Sequence, residues 1–183
     1  MTAASVARTW GATAADRERA FPCDRHVEGT RDALFRAVDV DAPPAAVFPW
    51  LCQLKVAPYS YDWIDNGGRQ SPRALTTGLE ALERGQRFMG MFDLVDFEPD
   101  RHVTLLAGSR AERFIGRFAV TYAVFPRGPG ASRLVVKLAV QYPAGPLGWA
   151  LRRIVPWADL VMMRKQLLTL KALAEERWTR SSA

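Results

Sequence analysis

Between residues 59 and 66 the chain runs Tyr-Ser-Tyr-Asp-Trp-Ile-Asp-Asn, packing aromatic rings and carboxylates into one short stretch. Apolar walls beside a few directional polar groups are the materials of a cavity mouth, which makes Tyr61, Asp62 and Trp63 candidate ligand contacts. The structural alternative has Tyr61 and Trp63 plugging a core from a loop while Asp62, Asp65 and Asn66 form turns and caps. Tyr122 and Tyr142 lie in runs of alternating apolar residues. A buried phenol there needs a partner, which is either a carbonyl or phenol of a ligand or else protein or water.

Other chemistries find little support. His26 and His102 are the only histidines, and neither has an acid or nucleophile placed beside it in sequence, so both read as surface residues rather than general bases. With Cys23 and Cys52 unpaired in spacing and no HExxH or HxxxH, no metal site is expected. GxGxxG, GxxxxGK[ST] and GxSxG are all missing, which removes nucleotide-loop and α/β-hydrolase chemistry, and no cofactor is expected.

The elements that would position these side chains follow from periodicity. Residues 1–32, rich in Ala, Arg and Thr, show no sustained period and read as a loosely packed lead-in with one helical turn near Ala14 to Ala20. Alternation from Leu34 through Arg36, Val38 and Val40 predicts a strand that stops at Ala42-Pro43-Pro44. A short helix follows from Pro44 to Leu54, with Val47, Trp50, Leu51 and Leu54 on one face and Pro49 as a kink. After the loop from Lys55 to Arg73, the capping-box spacing of Thr77 and Glu80 predicts a second short helix ending at Gly85.

Strand patterns then dominate. Two short strands are expected in Arg87 to Glu98, a third over His102 to Ser109, a long one over Arg113 to Phe125 and a last over Arg133 to Tyr142. Turn residues between them favour an antiparallel meander. One face would carry Phe114, Phe118, Val120, Tyr122 and Val124, and the next strand Leu134, Val136, Leu138, Val140 and Tyr142, with Gly116, Ala119 and Ala139 as small positions that let the sheet bend. A long amphipathic helix is predicted from near Pro156, its stripe being Leu160, Met163, Leu167, Leu170, Ala174 and Trp178, with Gly145 to Val155 a shorter approach. The fold class is α+β.

The opening Arg36-Ala37-Val38-Asp39-Val40-Asp41-Ala42-Pro43-Pro44 with Val47, Phe48 and Trp50, the Tyr59 to Asn66 segment and the closing helix together resemble the START-like, or SRPBCC, superfamily over about residues 34 to 178. The superfamily includes polyketide cyclases, aromatase-like domains and lipid-transfer domains, and the Tyr59 to Asn66 segment is similar to that of a bacterial subgroup without an assigned reaction. The resemblance implies a helix-grip domain over residues 33–180, a curved antiparallel sheet wrapped around the last helix, with two short helices after the first strand. It also implies a cavity between sheet and helix for hydrophobic small molecules, but not catalysis. Phe118, Tyr122, Leu138, Tyr142, Met163 and Leu167, on the facing surfaces, join Tyr61, Asp62 and Trp63 as candidate ligand contacts.

By composition, 183 residues that are 49% apolar and 24% charged read as one compact domain or two very small ones. Two cysteines make no disulfide framework, and no stretch reads as a secretion signal or a membrane span, so a reducing cytoplasm is the expected home. Most of the net charge of +6 lies in residues 144–183, whose basic side chains are Arg152, Arg153, Arg164, Lys165, Lys171, Arg177 and Arg180. These read as the solvated back of the helix, with contact to an anionic membrane or partner the alternative and no nucleic acid expected. Binding of an apolar small molecule leads, a cyclase or dehydratase in the same cavity is the second reading, and an interaction module on the basic helix the third. Oligomeric state is left open.

Overall fold

In the computed structural model the described residues are 3–29, 32–61, 63, 68 and 70–182. Six antiparallel strands form one sheet in the order β1-β6-β5-β4-β3-β2. They are β1 (Asp32–Val40), β2 (Arg87–Phe88), β3 (Phe92–Glu98), β4 (His102–Ala107), β5 (Arg117–Pro126) and β6 (Ser132–Gln141). Among helices, α1 (Ala3–Thr9) and α2 (Ala14–Glu18) precede β1, α3 (Pro44–Cys52) follows it, α4 (Ser109–Ile115) joins β4 to β5, and α5 (Gly145–Ser182) closes the chain. Antiparallel register pairs Leu34 with Leu138 across β1 and β6, and Val120 with Leu138 across β5 and β6.

Period-two patterning sorts the side chains as expected. Val38, Val40, Val120, Tyr122, Val124, Leu134 and Val136 face α5, whose Leu167, Leu170 and Ala174 are fully buried among them. Helix α3 begins on Pro44, as a residue with no N–H to satisfy can, and runs through Pro49 before tightening into a 3-10 turn at Gln53–Lys55.

Five expectations are corrected. The stretch from Thr77 to Gly85 is a turn at 77–80 followed by irregular chain, because Gly78 takes φ +86, outside helical space. Residues 109–115 form α4, so 113–115, expected to start the long strand, are helical and Phe114 is two-thirds exposed instead of facing inward. Gly116 is the stop of α4 at φ +95, where a Cβ would lie 2.1 Å from the Gln141 carbonyl oxygen; the residue is a close-approach site and no bend within a strand.

The fourth concerns α5, which is continuous from Gly145 and carries Pro156 inside it. A proline there leaves the carbonyl four residues earlier without its helical donor. Arg8 on α1 supplies one, its Nη2 lying 3.2 Å from the Arg152 carbonyl oxygen, while Arg36 on β1 donates to the Pro156 carbonyl at 3.1 Å.

The lead-in, expected to pack loosely, covers the other face of the sheet. Phe21, Cys23 and Val27 are buried against Phe35, Ala37, Ala119, Ala123, Val135 and Ala139. Polar atoms beneath it are matched: the Cys23 N–H donates to Thr121 Oγ1 at 3.0 Å, and Lys137, whose ammonium lies over the Phe21 and Phe35 rings, reaches Asp24 at 2.8 Å. Arg133 on β6 ties α2 down through Asp16 at 2.6 Å.

Candidate functional site

A cavity of about 340 Å³ lies between the sheet and α5. The sheet contributes Phe92, Phe118, Val120, Tyr122 and Leu138. Helix α5 contributes Asp159, Met162, Met163 and Gln166, four residues at i, i+3, i+4 and i+7 and therefore on one helical face. Pro58, Ser60, Met89 and Met91 add to the lining from the loops. Four of the five methionines in the chain thus line one cavity. Thioethers on unbranched stems fill irregular space and re-pack around guests, so this wall adapts to the shape of an apolar molecule.

Two backbone positions shape the loop side. Tyr59 and Met89 hold φ of +55 and +47, left-handed conformations that cost a bulky residue about 1–3 kcal/mol each. Tyr59 is held there by burial and by an edge-on contact with Trp50 at 6.1 Å, and its neighbours Pro58 and Ser60 face the cavity. The Met89 N–H donates to the Leu54 carbonyl at 2.9 Å.

The polar groups on the wall share one property. The Tyr122 hydroxyl donates to Gln166 Oε1 at 2.7 Å, and Gln166 Nε2 donates to the Pro58 carbonyl at 2.6 Å and approaches Met89 Sδ at 3.6 Å. Ser60 Oγ donates to the Met162 carbonyl at 3.1 Å. Among the described lining side chains, every Tyr, Ser and Gln hydrogen therefore has an acceptor already, and what remains for a guest is lone pairs.

Asp159 adds a carboxylate. Its Oδ2 stands 2.7 Å from Nη2 of Arg36, a guanidinium 1% exposed at its side chain. Arg36 also donates to the Phe35 carbonyl at 2.8 Å and the Ala7 carbonyl at 2.7 Å. Burial pushes the Asp159 carboxyl up to about 6 against the opposing pull of Arg36, so it exchanges protons near neutrality. Burial, with the Asp159 charge added, drives the Tyr122 phenol far above its ordinary range and keeps it protonated.

Of the side chains expected to contact a ligand, Phe118, Tyr122, Leu138 and Met163 line the cavity. Leu167 does not: it is fully buried in the core one turn further along α5. Tyr142 is buried with Phe118 and Val140 outside the cavity, beneath the Arg152 guanidinium at 5.4 Å, and burial raises its phenol to about 12. Tyr61 is not on the wall, Trp63 is 76% exposed, and Asp62 lies outside the described residues. His102 sits at the start of β4, 3.6 Å from Asp96 and away from the cavity. Both cysteines are free and buried, and burial raises Cys23 to about 11 and Cys52 to about 12, so neither is a ready nucleophile. Among the described residues no cluster of His, Cys, Asp and Glu could hold a metal ion, and no helix is long and apolar enough to cross a membrane.

Sequence reasoning missed Asp159 and Gln166. Their signal was their spacing with Met162 and Met163 beside the core stripe, together with Arg36 at an inward strand position that demanded a counter-charge.

Comparison with known proteins places this architecture. No family model matches the chain, and no curated protein matches it in sequence. Among solved structures, the Zhui aromatase/cyclase from Streptomyces sp. R1128 is similar with a TM-score of 0.54 at 16% identity, over 81% of this chain and 96% of that one. The di-domain ARO/CYC StfQ from the steffimycin biosynthetic pathway is similar with a TM-score of 0.50 at 10% identity, over 80% of this chain and 51% of that one. A protein from Thermobifida fusca with a solution NMR structure gives 0.49 at 18% identity, over 81% and 93%. At such identities the likeness is one of fold.

Proposed function

The chain has the START-like helix-grip fold, and we propose that it uses the cavity to bind a hydrophobic small molecule, lipid-like or aromatic and polyketide-like, that carries a hydrogen-bond donor. The observation that carries this reading is the cavity wall itself: methionine, phenylalanine, valine and leucine around a cluster of Asp159, Tyr122, Ser60 and Gln166 whose free capacity is all acceptor. Desolvation of the guest drives entry, and a hydroxyl or amine on it meets the carboxylate or the phenol oxygen. A guest carboxylate would instead face Asp159 and lone pairs, with no donor to replace its lost water. The expected result is that naphthol binds at least tenfold more tightly than naphthoate in a fluorescence titration at neutral pH, a difference of about 1.4 kcal/mol. Equal affinity, or preference for naphthoate, contradicts the reading.

A second reading is favoured by Asp159. A carboxyl raised to about 6 in a largely apolar cavity is suited to proton exchange, as a general acid or base needs to be. Zhui, which shares the fold, is an aromatase/cyclase. In a cyclase or dehydratase built on this chain, Asp159 would move the proton, Arg36 would hold its carboxylate in place, and the methionine wall would fold the substrate.

A further inference from the structure

Helix α5 carries a second apolar stripe that faces away from the core. Leu147, Ile154, Trp157 and Val161 are 56%, 62%, 47% and 53% exposed, and with half-buried Ala150 they step by three and four residues, which puts them on one line along the helix. Nothing in the sheet needs this line, because Leu160, Leu167, Leu170 and Ala174 already fill the core. Cations flank it: Arg153 beside its first half and Arg164 and Lys165 beyond its end. Arg153 lies over the ring of Trp149 at 4.6 Å, and Trp149 is itself 62% exposed. A groove of about 460 Å³ bounded by Arg8, Trp149, Arg152, Arg153 and Trp157 runs alongside.

We propose that this stripe is a docking surface for an anionic lipid bilayer, with Ile154, Trp157 and Val161 entering the headgroup boundary and the arginines meeting lipid phosphates. Charge selects this occupant. From residue 145 to 174 the only acid is Asp159, which is turned onto Arg36, so a second copy laid stripe to stripe would bring cations against cations with no acid to meet them. Indole rings sit favourably at a membrane interface, and basic residues beside an apolar face gain from its negative potential. The surface is independent of what fills the cavity.

Vesicle flotation of the whole protein tests it. The protein floats with phosphatidylcholine vesicles containing about one-third phosphatidylglycerol and stays behind with phosphatidylcholine alone, and raising the salt releases it. Arg153→Ala and Lys165→Ala each lower partitioning about fivefold. Ile154→Asp with Trp157→Asp abolishes it while thermal unfolding is unchanged, since both side chains are exposed. Binding that ignores the anionic lipid, or that survives the double replacement, overturns the proposal. So does a dimer of the parent protein that the same double replacement dissociates, which would give the stripe to a second copy.

Discussion

Replacing Arg36 with methionine tests the interior where sheet, helix and cavity meet. The change keeps an unbranched side chain of comparable reach, but removes the charge opposite Asp159 and the donors to the carbonyls of Phe35, Ala7 and Pro156. Breaking a buried pair from one side costs about 3–5 kcal/mol, because the remaining charge is left uncompensated. Against a total stability of about 5–15 kcal/mol the loss is large. With a urea dependence near 2 kcal/mol/M, the unfolding midpoint followed by tryptophan fluorescence falls by about 2 M at pH 7. Adding Asp159→Leu recovers most of it, since an apolar pair in place of a buried ion pair is close to neutral. A single replacement costing less than about 1 kcal/mol, or a double replacement worse than the single one, would refute the idea that Arg36 and Asp159 act as a coupled interior pair.

Two carboxylates titrate the fold in opposite senses. Asp159 is raised by burial from 3.8 to about 6, so folding favours its protonated form: that contribution is full below about pH 4, fades as pH rises through 6, and amounts to about 3 kcal/mol. Asp159→Asn therefore flattens the stability profile between pH 4 and 6, measured by chemical denaturation at each pH, and an unchanged slope there excludes the carboxyl as its source. In the catalytic reading the same variant loses turnover and keeps ligand affinity. Asp16 is also desolvated, yet its hydrogen bonds with Arg133 and Thr13 bring it down to about 2. Its contribution is present above pH 4 and is lost as pH falls through 2, so Asp16→Asn costs about 2 kcal/mol at neutral pH and only a small fraction of that at pH 2. A variant that loses the same stability at both would show that the interaction is not ionic.

The sheet was legible because period two sorts Phe118, Val120, Tyr122 and Val124 from Ala119, Thr121 and Ala123, and burial follows that sorting. The same alternation held an unread instruction. Ala37, Ala119, Ala123, Val135 and Ala139 make the opposite face apolar too, and an apolar face requires a cover, which Phe21, Cys23 and Val27 provide. Their segment lacks periodicity because it crosses the sheet as short turns of helix and irregular chain. The start of α5 was hidden for a different reason. Pro156 reads as a helix start wherever only local sequence is considered, and inside the helix here the Arg152 carbonyl it deprives of a donor is supplied by Arg8, distant in sequence. In the site, the apolar wall residues Phe118, Leu138 and Met163 followed from pattern, whereas Asp159 and Gln166 sit there only because Arg36 and Tyr122 meet them across the sheet-to-helix gap.

The central claim is that the space between β5 and α5 receives an apolar guest, and it is tested most directly by filling that space. Val120 is 4% exposed and lines the cavity, so Val120→Trp sends an indole ring into it. Titration with N-phenylnaphthylamine, an apolar fluorophore with one N–H, should show saturable enhancement with the parent protein and at least a tenfold loss of affinity with a variant whose circular dichroism is unaltered. Equal binding by parent and variant would place the guest elsewhere and contradict the account.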